Sequence, residues 1–75
     1  MSALSEQVLA VSKVYLGPAA ESFLSRQCKA HLSTDLSNIT AGQLKDLSKW
    51  VEVGAGLIME PAKASVLAKK IAGLG

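Results

Sequence analysis

Large apolar residues recur three and four positions apart along most of this chain, the spacing of one face of an α-helix. Leu4, Val8, Val11 and Tyr15 form one such stripe, widened by Leu9, Val14 and Leu16. Ala20, Phe23, Leu24, Gln27, Cys28 and His31 share a second face, with Leu32 at its edge. Leu44, Leu47, Val51, Gly54 and Ile58 form a third, while Lys45, Asp46, Lys49 and Glu52 fall mostly on other faces. Val66, Leu67, Ile71 and Leu74 are the large apolar residues of a fourth, thinned by Ala62, Ala64 and Ala68. The pattern predicts four amphipathic helices with their apolar stripes turned inward.

The stretches between the stripes carry stop and start signals. Ser2 is placed to cap the first helix. Gly17 can take the left-handed conformation that ends a helix, and Pro18 suits the first position of the next. Glu60-Pro61 repeats that corner before the fourth helix, which Gly73 ends. Ser33 to Asn38 reads as a loop, or one short helical turn, with Leu36 dropped inward as a plug. Thr40 and Gln43 have the spacing of a capping box, and Ile39 and Leu44 that of a hydrophobic staple. Losing the threonine cap is expected to cost on the order of 1 kcal/mol. The predicted architecture is all-α, a small four-helix bundle in a single domain, residues 1–75, with helices at about 3–16, 18–32, 41–58 and 61–72. Gly54 and Gly56 lie inside the third helix, where each costs roughly 1 kcal/mol relative to alanine. Close approach of another helix, a kink or a hinge would each account for them.

Composition changes this picture in one respect. The chain has 75 residues, 49% of them hydrophobic, yet only 4% aromatic. Mean hydropathy is +0.31. A chain this short keeps much of its length at the surface, so that hydrophobicity leaves apolar surface to spare for self-association or a partner. The net charge of +2 is mild and its basic residues are dispersed, unlike the dense basic face of a nucleic-acid binder. Lys45, Lys49, Lys63, Lys69 and Lys70 read as a solvated face, with a basic patch across the third and fourth helices as the alternative. The single cysteine permits no internal disulfide and fits a reducing compartment. No signal peptide is evident, and Val53 to Met59, the longest nearly uncharged stretch, is far shorter than the roughly 20 residues of a membrane span. A cytoplasmic location is expected.

Candidate chemistry is sparse. Cys28 and His31 are three apart and can face one way on a helix. A metal site needs three or four ligands, and the chain holds no second Cys or His. The pair also lacks an orienting third group for nucleophilic catalysis. Cys28 therefore reads as a small buried apolar residue. The six acids are scattered singly, which supports neither acid–base catalysis nor calcium binding. No enzyme activity, cofactor or metal is expected. Trp50 reads either as a core-edge residue or as an interface anchor.

The run Tyr15-Leu16-Gly17-Pro18-Ala19-Ala20 is followed by a helix ending Gln27-Cys28-Lys29, then by Leu44-x-x-Leu47 and a closing Pro61-x-Lys63 helix. This arrangement resembles small helical modules of bacterial and archaeal signalling proteins, found beside response-regulator, kinase or roadblock-type domains. They typically carry an Ile-Gly-Pro or Leu-Gly-Pro corner. The resemblance spans residues 14–72, and Leu16-Gly17-Pro18 is its distinctive part. It implies a regulatory or interaction role and supplies no catalytic residues.

The expected function is a non-enzymatic protein–protein interaction or assembly module, with a protein partner or a second copy in a homodimer. Trp50, Val53, Leu57, Met59 and Leu67 are the candidate contact residues, Met59 at the rim. The alternative is a membrane-active cationic helical bundle of saposin-like or bacteriocin-like type. A third reading is a helix-turn-helix nucleic-acid binder. It is opposed by the long connection from Ser33 to Thr40 and by a third helix without an Arg/Asn/Gln-rich face.

Overall fold

The computed structural model describes residues 2–74, and every regular element among them is helical. Helix α1 (Ala3–Leu16) begins as its sequence requires. The Ser2 hydroxyl accepts the Ser5 N–H at 3.2 Å, and the Ser5 hydroxyl donates to the Ser2 carbonyl at 2.8 Å. Gly17 ends α1 at φ 62°, a conformation that costs glycine little and other residues much, and its N–H reaches back to the Lys13 carbonyl.

The predicted second helix is broken into three pieces. Gly17–Ala19 is a 3-10 turn led by Pro18, α2 (Ala20–Gln27) is only 8 residues long, and Cys28–Leu32 widens into a π-helical turn. Ser33, in the left-handed region at φ 52°, closes that turn, and its N–H bonds to the Cys28 carbonyl. The chain is thus all-α, with three helices of 12 to 14 residues and one short, irregular one. It lacks the four comparable helices that the periodicity suggested.

A short 3-10 turn, Leu36–Asn38, drops Leu36 into the core as expected. Thr40 and Gln43 then pair as capping residues. The Gln43 Oε1 accepts the Thr40 N–H at 3.1 Å and its hydroxyl at 3.3 Å. A 3-10 turn over Ala41–Gln43 leads into α3 (Leu44–Ala55), and α4 (Pro61–Ala72) follows after a tight corner. Helix α3 ends three residues earlier than predicted. The Ala55 carbonyl accepts both the Ile58 and Met59 N–H groups, at 3.0 and 2.9 Å, so the chain tightens and leaves the α-helical register.

Helices α3 and α4 form the most extensive pair; α1 lies on α2 and α4, and α2 on α3. Val8, Leu24, Leu44, Leu47, Val51, Leu67 and Ile71 are fully or almost fully buried at the centre. Ala55, Ala64 and Ala68 are buried on α3 and α4, where small side chains let two helices lie close. The accessible surface is 4326 Å², close to the roughly 4400 Å² expected of a compact monomer of this mass. The hydrophobic excess therefore does not reflect a loose core; it sits in particular exposed side chains.

Candidate protein-interaction surface

Among the described residues, five large apolar side chains are exposed: Val14, Val53, Leu57, Ile58 and Val66. Three of them belong to the end of α3 and the corner after it. Val53 is 57% exposed, Leu57 84% and Ile58 66%. Ile58 was expected on the inward stripe. It points out because the α-helix stops at Ala55, and a turn of different pitch cannot carry the stripe further.

Leu57 and Ile58, but not Val53, border a groove of about 400 Å³, open to solvent, between the α1–α2 corner and the end of α3. Leu16, Ala19 and Phe23 line one side and Leu57 and Ile58 the other, with Gly54 between them. Ser22, Arg26 and Gln27 complete the lining, and Arg26 is its one charged residue. The absent side chain of Gly54 leaves room for two side chains of α2. A Cβ built there would lie 2.9 Å from Phe23 Cζ and 3.0 Å from Gln27 Nε2. Phe23 and Gln27, one turn apart on α2, thus straddle the glycine. The close approach expected at Gly54 was that of another helix's backbone; the atoms found there are side-chain ends of Phe23 and Gln27. At Gly56 the nearest atom to such a Cβ is the Glu52 carbonyl oxygen of its own helix, at 3.1 Å, so no neighbouring helix explains that glycine.

Trp50 lies one turn before Gly54 on α3 and is half-buried. Its indole stacks on the His31 imidazole, with ring centroids 3.8 Å apart and planes within 4°. Nothing in the sequence pairs these two residues. The π-helical turn makes the contact compatible with the burial of Cys28, because it spreads Cys28 and His31 further around the axis than an α-helix would. Cys28 points inward with no exposed surface, and His31 points out to the tryptophan. Burial, reinforced by the negative charge of Asp35, pushes the Cys28 thiol above its ordinary value of 9.0. A thiol held in its neutral form is a poor nucleophile. Among the described residues, no three His, Cys, Asp or Glu side chains come together.

The five candidate contact residues separate. Trp50 stacks on His31, Leu57 lines the groove, and Val53 is exposed on α3 outside the groove lining. Met59 is half-buried and packs against the core. Leu67 is fully buried, so it belongs to the core and has no surface to offer a partner. The periodicity could not distinguish it from Val66, its neighbour, which is 44% exposed. Sequence reasoning missed Phe23, Arg26 and Ile58, the groove residues. The signal that could have found Phe23 was Gly54, since a helix-interior glycine calls for a large side chain opposite it.

No helix is long and apolar enough to cross a membrane among the described residues. Comparison with protein-family models, curated proteins and solved structures finds no match to this chain. What fold and surface define is an all-α module with a compact core and one apolar groove.

Proposed function

We propose that this chain is a non-enzymatic interaction or assembly module of the regulatory kind, acting in the cytoplasm through its α2–α3 face. One observation carries the reading. Leu57 and Ile58, two strongly exposed apolar residues, stand together in the wall of a preformed groove, and apolar patches on small proteins are typically contact sites. Phe23 forms an aromatic wall of the groove, and Trp50, stacked on His31, is of the residue type enriched among the anchors that dominate binding energy. Leu16, which lines the groove, belongs to the Leu16-Gly17-Pro18 corner on which the resemblance to small signalling modules rests.

The test is a photo-crosslinking residue placed at Leu57 of the full chain, with Lys45, exposed elsewhere on α3, as control. Protein adducts from Leu57 and none from Lys45 are expected in cells. Absence of adducts at Leu57, or equal labelling at both positions, refutes the reading. A membrane-active role is favoured by the high mean hydropathy, the lysines and the exposed Leu57-Ile58 tip. Neighbouring Glu60 opposes contact with an anionic bilayer, and leakage of anionic vesicles at micromolar protein is the outcome that would restore that role.

A further inference from the structure

The polar side chains of the groove all stand on one wall. Ser22, Arg26 and Gln27 belong to α2, while the opposite wall, Leu57 and Ile58, is purely apolar. Helix geometry sorts them further. Phe23 and Gln27, four apart, form the row that meets Gly54, and Ser22 and Arg26, four apart, form the row beside it.

Beyond that second row lies another hollow, more open than the first, to which Ser25 and Lys29 contribute. Ser22 and Arg26 border both. The apolar groove thus gives, across Arg26, onto a surface of hydroxyls and cations, and no acidic residue lines either hollow. Lys29 also lines a third hollow together with Glu21 and Asp35, whereas Arg26 has no acid beside it in its two. An occupant must therefore be apolar along most of its length and anionic at one end. A guanidinium offers a carboxylate two parallel N–H donors, and the Ser22 hydroxyl stands on the same row. A tail with a cationic head would meet Arg26 as a like charge.

The volume sets the size. The groove's volume of about 400 Å³ lies toward the small end of the roughly 300–1,000 Å³ typical of small-molecule sites. At about 30 Å³ per methylene, the share of a water molecule in the liquid, an aliphatic chain of roughly a dozen carbons fills it. Two turns of a peptide helix occupy roughly 900 Å³, more than the groove can hold. Among the described residues no strand offers an edge to an extended peptide.

Going beyond the protein-contact reading, we propose that the groove binds a medium-chain fatty acid. Its tail lies between Phe23 and the Leu57-Ile58 wall, and its carboxylate rests on Arg26.

Titration of the full chain with dodecanoate below its micellar concentration, followed by calorimetry and by backbone amide NMR signals, tests this. Saturable one-to-one binding is expected, with the largest shifts at Gly54 and Leu57. Each methylene removed from the ligand should weaken binding roughly two- to fourfold. Dodecyltrimethylammonium, with the same tail and the opposite charge, should bind roughly tenfold more weakly, and Arg26→Gln should close most of that gap. Leu57→Ser should weaken dodecanoate binding by roughly fivefold. Both substituted positions are exposed, so circular dichroism should show unchanged folding. Absence of saturable binding, equal affinity for the two head groups, or indifference to Arg26→Gln each overturns the proposal. So does binding to vesicles of anionic phospholipid without binding of monomeric dodecanoate. None of these results touches the protein contact, which crosslinking from Leu57 decides separately.

Discussion

Gly54→Ala sets two effects against each other. In an exposed helix interior, alanine is better than glycine by about 1 kcal/mol. Here the added methyl would sit 2.9 Å from Phe23 Cζ and 3.1 Å from Phe23 Cε2. Carbon atoms rest at about 3.5–4.0 Å, so the ring must retreat by roughly 0.7 Å. Phe23 packs against the core, so moving its ring outward toward the open groove gives up core contacts. Overpacking of this kind costs typically ~1–3 kcal/mol. The balance is a net loss of about 1 kcal/mol, or a fall in Tm of ~4–8 °C for a domain of this size. Phe23→Leu removes both ring atoms. In that background only Gln27 Nε2, at 3.0 Å, remains close, and it ends a flexible chain. Gly54→Ala should then become stabilising by about 0.5–1 kcal/mol from helix propensity. Thermal and urea unfolding of the four proteins completes the double-mutant cycle. A rise in Tm for Gly54→Ala in the otherwise unaltered chain would refute the reasoning, because it would mean the contact with Phe23 imposes no constraint.

The Ser12 hydroxyl is buried without a hydrogen-bond partner. Ser12→Ala should therefore stabilise the protein by roughly 1 kcal/mol, and a lower urea midpoint would contradict this. His31→Ala removes the stack on Trp50. A loss of about 0.5–1.5 kcal/mol is expected, with a red shift in the emission of the chain's single tryptophan as one indole face meets water; unchanged emission would deny the stack in solution. The raised Cys28 thiol makes stability depend on pH in one direction. Above the ordinary thiol value of 9.0, the unfolded chain ionises while the folded one keeps its proton. Stability should thus be intact below that pH and fall as pH rises toward the folded-state value. Cys28→Ala should lose that component of the alkaline decline, read from urea midpoints between pH 7 and 10.

The parts of the fold legible in the sequence were those with chemistry at their ends. Ser2 and Gly17 bound α1, and Pro61 and Gly73 bound α4, at the residues the chain itself announces. The break in the second helix had no such marker. A π-helical turn is set by how Cys28 and His31 must face after packing, and apolar spacing does not encode that. The early end of α3 was half visible in Gly54 and Gly56, but spacing alone kept Ile58 on the inner stripe. The candidate surface fared similarly. Val53 and Leu57 could be named from their flank, whereas Leu67 could not be told from Val66 because helices with many alanines bury a narrow stripe whose centre depends on the neighbour. Phe23 and Arg26 enter only once α2 is laid against α3.

The dominance of the α3–α4 pair bears on how the chain reaches its fold. The two helices are consecutive and joined by a five-residue corner, so their contacts close a short loop at small entropic cost. Docking α1 on α4 joins opposite ends of the chain and closes nearly all of it. The C-terminal half should then supply the folding nucleus, with the N-terminal half adding to it afterwards. Leu67→Ala should accordingly slow folding, whereas Val8→Ala should chiefly speed unfolding. Stopped-flow rates would reveal the reverse order if α1 came first. On this route the groove is completed last, when the Gly17 corner settles against the finished α3.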